Sequence, residues 1–226
     1  MHFHGCRFSL FGGLGHFPDC HTMTYFVTAV QWLRWSLSTG IMRGQEIVYI
    51  LRGGHTLDTL FEKYKSLCID GSLISLENGD LSSPYFCYPV NAKVIGFEGC
   101  ILYCAIAEYG EMIFASNPES CADKNVYPLA KNFSDFMRLI LACGSTNPVE
   151  QIVWMDKEQF EQHMQDERAI QTGKQEAVLL LLSKELELSP IENPFKYVKA
   201  IQKDFDDSHI KFSDEYYDVL GIERNC

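Results

Sequence analysis

The residues best suited to bind a metal lie at the start of the chain. This segment carries His2, His4, Cys6, His16, Cys20 and His21. Imidazole nitrogen and thiolate sulfur are the donors that zinc and copper prefer. A structural zinc site has two pairs of ligands, and the members of each pair are about two to four residues apart. Here the first three donors are followed by only one close pair, the adjacent residues Cys20 and His21. The spacing favours a leader segment outside the fold, and we assign no metal or other cofactor.

Nucleophilic catalysis has candidates among the cysteines. The chain has nine of them, an odd number, and none occurs in a CxxC pair. This usage is typical of free thiols in a reducing cytoplasm. Cys87, Cys104 and Cys143 lie in apolar runs and are predicted to be core residues, while Cys121 has acidic neighbours that disfavour its thiolate. No activating base is near, so we assign no catalytic residue.

The densest group of carboxylates lies near the C-terminus, in DFDDSHIKFSDEYYD, residues 204–218. We call this segment the acidic aromatic tract. It lacks the glycine and the ordered acidic positions of a calcium loop. Tyrosine beside carboxylates can supply contact area and electrostatic steering, which predicts a partner-binding surface; the alternative is an ordinary solvated helix end. The predicted contact residues are Asp204, Asp206, Asp207, Asp214, Glu215, Tyr216, Tyr217 and Asp218.

The overall charge of the chain favours some classes of binding partner and disfavours others. Lys and Arg total 19 against 30 Asp and Glu, which gives a net charge of -11. Such a field repels nucleic acid and anionic membranes and attracts a basic protein. The most apolar early stretch, TYFVTAVQWLRWSLSTGIM, is interrupted by Gln31 and Arg34 and is too polar for a membrane span. We therefore expect neither a nucleic acid nor a membrane as the partner.

Three β-rich runs predict the sheet of the fold. They read PYFCYPVNAKVIG, CILYCAIA and EMIFASNP, and short glycine-containing connections separate them. This pattern predicts an antiparallel meander. Both faces of the middle run are apolar, so we expect that strand to be central and covered on both sides. A further short run, QIVW at residues 151–154, is interpreted as an edge strand.

Helices are predicted to cover this sheet. One begins near Thr56, and another follows Asn132, whose side chain is a good N-cap and whose helix would end at Gly144. The second helix carries five apolar residues at helical spacing: Phe133, Phe136, Met137, Ile140 and Leu141. From about residue 156, where Asp156 is the predicted cap, the chain is helical in character. The sequence thus predicts an α+β fold, with residues 1–44 as an irregular extension and residues 45–226 as one domain with a helical C-terminal region.

The segments KVIGFEGCILYCAIAEYGEMIFA and YPLAKNFSDFMRLILACG together resemble the SUKH superfamily. This family includes bacterial immunity proteins and the yeast Smi/Knr cell-wall regulator. Its meander carries an I-G pair and a glycine turn, and a helix of the form A-x-[SN]-F-x-[DE]-F-[LM] follows. The resemblance covers roughly residues 45–145 of the chain, and the matching residues are Ile95, Gly96, Ala130, Asn132, Phe133, Asp135, Phe136 and Met137.

The resemblance implies an α+β domain that binds a protein and does not turn over a substrate. Immunity proteins of this type are stoichiometric inhibitors that dock on a polymorphic toxin, often a basic nuclease. The net charge of -11 is compatible with such a partner. Two alternatives from other classes stay open: a small cytoplasmic enzyme with an unassigned Cys, His and carboxylate site, and a scaffold protein that self-associates through its C-terminal helices.

The irregular composition of residues 1–44 generates a first prediction. A chain that begins at Met42 should melt cooperatively at nearly the same temperature as the full chain, because the regular apolar pattern starts only after this residue. Thermal unfolding followed by circular dichroism tests this. Failure of the shortened chain to fold would make residues 1–44 part of the core, and stoichiometric zinc retained by the full chain against a weak chelator would establish a metal site.

Overall fold

The structure is a computed structural model that describes residues 56–120 and 122–223, with side chains from Thr59 onwards. The predicted extension over residues 1–44, its histidines and cysteines, and Cys121 lie outside the described residues. The predicted domain boundary at residue 44 lies there too and stays a prediction.

The described residues contain a four-stranded antiparallel sheet. Its strands are β1 (Lys93–Glu98), β2 (Ile101–Ala105), β3 (Ile113–Ser116) and β4 (Val126–Ala130), and their order in the sheet is their order in the chain. Gly99 connects β1 to β2 with a φ of 56°, a left-handed conformation that glycine adopts at little steric cost. The predicted antiparallel meander is confirmed, and with it the α+β fold.

Strand β2 is buried on both faces. Tyr103 and Ala105 point into one hydrophobic core, whereas Leu102, Cys104 and Ile106 point into the other. All five are at most 4% exposed. This alternation follows from the two-residue period of a strand, and it confirms the predicted central position of this segment.

Helices cover the face that carries Tyr103. Here α1 (Thr56–Ser66) and α2 (Phe133–Cys143) pack together, with the Phe61 and Phe133 rings edge to face at 5.1 Å between centroids. The Phe136 ring lies 5.5 Å from that of Tyr103. The Asn132 side chain accepts from the Asp135 backbone N–H at 2.8 Å, as predicted for the N-cap of α2.

The chain after α2 is helical, as predicted for the C-terminal region. Asp156 and Gln159 form a reciprocal capping box at the start of the helix that begins at Lys157. No described helix has both the length and the apolar character needed to cross a membrane. The helices are α3 (Thr146–Gln151), α4 (Lys157–Ile170), α5 (Gly173–Glu185), α6 (Pro194–Gln202) and α7 (Asp214–Leu220).

Loop segments cover the other face of the sheet. Cys87 and Tyr88, from the chain before β1, are buried there together with Ile210 from the acidic aromatic tract. The Ser116 hydroxyl of β3 donates to the Cys87 carbonyl at 2.9 Å. Phe205 places its ring 5.5 Å from that of Phe114. The acidic aromatic tract is therefore part of the cover of the second core.

Three details of the predicted elements are wrong. The QIVW strand is absent because α3 ends at Gln151 and a turn follows, so that Val149 and Ile152 enter the core at helical spacing. Strand β4 was missed because Pro128 lacks the N–H of a central strand, but β4 is an edge strand and tolerates it. Only the end of PYFCYPVNAKVIG is a strand, since residues 84–92 form turns and irregular structure.

Gly96 allows close packing over β1. A Cβ atom at this position would lie 2.6 Å from the Leu76 Cδ1 atom and 3.0 Å from the Glu77 carbonyl oxygen. The neighbouring Ile95 is 4% exposed in the helical core. The I-G pair of the sequence therefore joins a buried side chain to a position where a larger residue would press on Leu76 and on the Glu77 backbone.

The burial of Phe136 generates a stability prediction. Its side chain is fully buried, so Phe136→Ala should lower the free energy of unfolding by about 3 to 5 kcal/mol through lost apolar burial and a cavity. Urea denaturation measures the change. Leu180→Ala is the control, because Leu180 is 72% exposed and its replacement should change stability by less than about 0.5 kcal/mol. Equal effects of the two substitutions would contradict the packing of α2 on the sheet.

Candidate functional site

Aromatic packing anchors the acidic aromatic tract to the domain. Phe212 and Tyr216 stack with their ring centroids 3.8 Å apart, and Tyr216 also faces Phe86 at 6.1 Å. Ile210 is only 8% exposed. Tyr216 and Tyr217 are half-buried, so part of their surface stabilises the tract itself and the rest faces solvent.

Hydrogen bonds fix the backbone of the tract at three residues, Asp206, His209 and Lys211. The Tyr109 hydroxyl donates to the Asp206 carbonyl at 2.9 Å and accepts from the His209 backbone N–H at 3.1 Å. The Val90 backbone N–H donates to the Lys211 carbonyl at 2.8 Å. These contacts come from distant parts of the chain, so the shape of the tract is set by the domain and does not depend on α7 alone.

The carboxylates of the tract face solvent. Asp204, Asp206, Asp214, Glu215 and Asp218 are exposed. Asp207 is half-exposed and forms an ion pair with Lys124 at 2.5 Å. The Ser208 backbone N–H donates to the Asp206 carboxylate at 3.0 Å and lowers the pKa of that carboxyl. The predicted contact residues thus lie on a segment whose backbone is anchored to the domain, and their role as contacts stays a prediction.

Two further carboxylates, those of the buried Glu150 and the half-buried Glu98, lie away from the tract, and the sequence did not identify them. Glu150 of α3 is 1% exposed and accepts from the Asn117 amide at 2.8 Å and from the Tyr127 hydroxyl. Burial raises the pKa of Glu150, the two hydrogen bonds oppose that effect, and the nearby charge of Glu98 adds to it. These hydrogen bonds connect α3 to β4, which contains Tyr127, and to Asn117, the residue after β3.

Hydrogen bonds from strand and helix residues surround Glu98. The Thr146 hydroxyl lies 2.5 Å from the Ser75 carbonyl and 3.1 Å from the Glu98 carboxyl, and both groups can accept its proton. Burial raises the pKa of Glu98, and the hydrogen bonds from Tyr103 and Thr146 oppose that effect. Tyr103 donates to the same carboxyl at 2.8 Å.

Three of the five described thiols are buried away from solvent. Cys87, Cys104 and Cys143 are buried, which confirms their prediction as core residues. Burial raises the pKa of Cys104 and of Cys143 to about 12, and it also raises that of Cys87. Their thiolate forms are therefore scarce at neutral pH. Within residues 56–120 and 122–223, no group of three His, Cys, Asp or Glu side chains is placed to hold a metal ion.

A cleft of about 600 Å³ lies between β4 and α6, and sequence reasoning missed it. Its apolar lining comes from Val126, Pro128, Val153 and Phe205, with Tyr127 beside them. Its charged lining is mainly basic and includes Lys124, Lys199 and Lys203. We call it the lysine cleft.

A second cavity of about 490 Å³ adjoins the lysine cleft, because Lys199 and Lys203 line both. Lys157 and Lys196 complete its basic lining. Lys196 and Lys199 of α6, and Lys203, which caps its C-terminus, are three and four residues apart and therefore lie on one side of the helix. That spacing was visible in PFKYVKAIQKDF, but only the fold shows that a strand with an apolar surface lies beside it.

The lysines of α6 are poorly neutralised. Among the described residues, no carboxylate lies within ion-pair distance of Lys196, Lys199 or Lys203, whereas Lys157 pairs with Glu161 at 3.4 Å. Like charges three or four residues apart destabilise a helix by about 0.2 to 0.5 kcal/mol per pair. Lys199 donates to the Val153 carbonyl at 3.0 Å, and its partial burial lowers its pKa. A chain with a net charge of -11 thus concentrates positive charge on one helix face.

The buried carboxyl of Glu150 predicts a pH dependence of stability. Burial raises the pKa of Glu150 in the folded state. The contribution of this group to the free energy of unfolding is therefore fully present below the pKa of the unfolded state, near 4.5, and is lost as the pH rises through the pKa of the folded state. The free energy of unfolding of the parent should therefore fall from pH 4.5 to neutral pH more steeply than that of Glu150→Gln. Urea denaturation at both pH values measures this difference. Some slope should remain in the variant, since the pKa of Glu98 is also raised.

Glu192→Gln provides the control for the change of charge, because Glu192 is exposed. This variant should keep the pH dependence of the parent. The same pH dependence in the parent and in Glu150→Gln would contradict the burial of an ionisable carboxyl at this position.

Comparison with known proteins does not identify a relative. No family model, curated protein or solved structure matches the chain. The SUKH resemblance therefore stays a prediction.

Proposed function

We propose that this protein is a protein-binding module that engages a basic partner through the acidic aromatic tract, in the manner of an immunity protein that inhibits a toxin domain. The observation that carries the proposal is the combination of exposed carboxylates with an anchored backbone. Asp204, Asp214 and Glu215 are exposed, while Tyr216 of the same tract is half-buried and stacks on Phe212 at 3.8 Å.

Anchoring favours binding because an anchored segment loses less backbone conformational entropy when a partner binds. A flexible acidic tail loses backbone freedom when it binds, and this loss opposes affinity. Here the Tyr109 hydroxyl and the Val90 N–H already hold the tract at Asp206, His209 and Lys211. The carboxylates are therefore presented on a surface whose ordering is largely complete before a partner arrives.

The charge of the tract suits a basic partner. Complementary fields raise the rate of association and disfavour partners of the wrong charge. A nuclease toxin is basic where it holds nucleic acid, and carboxylates can occupy the place of phosphates on such a surface. The net charge of -11 extends the attraction beyond the tract. The SUKH resemblance favours the same class of partner.

The chemistry of the described residues gives the enzyme alternative little support. The carboxyl of Glu150 is closed inside the domain, and the thiols of Cys104 and Cys143 are buried with a raised pKa. Groups in these positions cannot contact a substrate. We further propose a cytoplasmic location, which suits the free thiols of Cys68, Cys87, Cys100, Cys104 and Cys143.

The proposal is tested by finding the partner and then measuring the rate of association. Affinity capture on the tagged full chain, from a lysate of the source organism, supplies the partner for stopped-flow measurements at increasing salt. The parent rate should fall as salt rises, because screening weakens the attraction between opposite charges. The double variant Asp204→Asn with Glu215→Gln should associate about threefold or more slowly at low salt, with the difference lost at high salt.

The choice of residues keeps the fold intact. Asp206 and Asp207 are left unchanged, because Asp206 accepts from Ser208 and Asp207 pairs with Lys124. The control is Glu62→Gln with Glu158→Gln, which removes two negative charges from exposed positions outside the tract. Equal rates for the two double variants would exclude the tract as the contact surface. Turnover of a small molecule by the parent, lost on mutation of a Cys or His, would overturn the binding function.

A further inference from the structure

We propose that the lysine cleft is a second binding site, which takes an acidic peptide segment carrying large apolar side chains. This site is opposite in charge to the acidic aromatic tract and does not depend on the function proposed for that tract. Its ligand would place carboxylates against the lysines of α6 and an aliphatic or aromatic side chain against the wall formed by β4.

The apolar wall sets the first requirement on the ligand. Val126, Pro128 and Val153 line a cleft of about 600 Å³, a volume within the range of roughly 300 to 1,000 Å³ that is typical of ligand sites. A fully hydrated anion would gain nothing from this wall. A ligand with an apolar side chain removes both its own surface and the wall from water, which favours binding.

The lysines set the second requirement. Lys196, Lys199 and Lys203 lie along one side of α6, and no described carboxylate pairs with them. Four residues of helix separate Lys199 from Lys203, a rise of about 6 Å. Two residues of extended chain span about 6.6 Å, so alternate carboxylates of an extended peptide match these lysines. The side chains between them would then point to the opposite side of the peptide.

The cleft is formed before a ligand binds. The Gln202 amide of α6 donates to the Pro128 carbonyl of β4 at 3.2 Å, and the Tyr197 hydroxyl accepts from the Lys131 backbone N–H at 3.2 Å. Tyr197 also donates to the Asp135 carboxylate at 2.6 Å. These bonds hold the helix against the edge strand and satisfy backbone groups of its edge. The occupant is therefore expected to bind through side chains and not to extend the sheet.

A peptide suits the cleft better than a nucleic acid. Asp123 lines the cleft, and Asp207 pairs with Lys124 at its rim, so a continuous polyanion would meet negative charges as well as lysines. Proteins that bind single strands offer aromatic rings on which bases stack. The ring of Phe205 instead packs between those of Tyr109 and Phe114, at 5.1 and 5.5 Å.

The experiment measures the binding of defined probes to the full chain by fluorescence anisotropy. The main probe is the fluorescein-labelled peptide GDLDFDG. Two control peptides remove one requirement each: GNLNFNG has no carboxylate side chains, and GDSDSDG has no apolar side chains. Both should bind about tenfold or more weakly than the main probe, because the site needs charge and apolar surface together.

Variants locate the probe on the protein. Lys199→Gln with Lys203→Gln should weaken binding of GDLDFDG by about tenfold. Lys63→Gln with Lys174→Gln removes two positive charges from other exposed positions and should leave the affinity unchanged. Lys203→Gln alone is included because the Lys203 side chain is exposed and makes none of the hydrogen bonds that hold α6, whereas the Lys199 side chain donates to the Val153 carbonyl. Thermal melting confirms that each variant is folded.

Each contrary result overturns the proposal. Equal affinity of GDLDFDG for the parent and for the lysine variants would show that the peptide does not bind in the lysine cleft. Absence of binding at millimolar peptide would also contradict the proposal. Equal binding of GNLNFNG would exclude charge recognition. A labelled oligothymidine that binds as tightly, with the same dependence on Lys199 and Lys203, would identify a polyanion site instead. The tract variant Asp204→Asn with Glu215→Gln should still bind the peptide, so failure of either proposal is distinguishable from failure of the other.

Discussion

Burial of β2 on both faces is the constraint on which the other features depend. Tyr103 and Leu102 are adjacent in the chain, both are fully buried, and they enter different cores, so the sheet is stable only if both of its faces are covered. Helices α1 and α2 supply one cover with regular amphipathic surfaces. The second cover is irregular and includes Phe205 and Ile210 from the acidic aromatic tract. A segment that looks like polar surface in its composition is thus required by the core, which explains why it is anchored so firmly.

Buried polar groups add specificity to the helical side of the domain. Glu150 joins α3 to Asn117 and Tyr127, and Glu98 joins the end of β1 to Tyr103 and Thr146. Burying a carboxyl is unfavourable unless hydrogen bonds compensate for the lost water, and each of these carboxyls has at least two partners. Such a network is satisfied in one arrangement of helix and strand. It therefore disfavours alternative packings of α3 even where its net contribution to stability is small.

The C-terminal region separates the two signs of charge. Lysines lie on one side of α6, and the carboxylates of the acidic aromatic tract follow directly after this helix. The two surfaces meet where Lys124 pairs with Asp207, and Phe205 contributes to both the cleft and the second core. Like charges on one surface repel each other, so this separation opposes stability locally. Surfaces arranged in this way are suited to distinguish partners by charge, which is how complementary interfaces obtain specificity.

The sequence by itself determined the features that depend on short-range periodicity. The two-residue alternation of β2, the apolar stripe of α2 and the caps at Asn132 and Asp156 could all be predicted because neighbouring residues decide them. Strand β4 could not be predicted, since Pro128 is acceptable only at a sheet edge, and the edge is a property of the whole sheet. The buried partners of Glu150 are 23 and 33 residues away along the chain. The lysine cleft likewise exists only because α6 packs beside β4, so only the tertiary structure decided which charges lie beside which apolar surface.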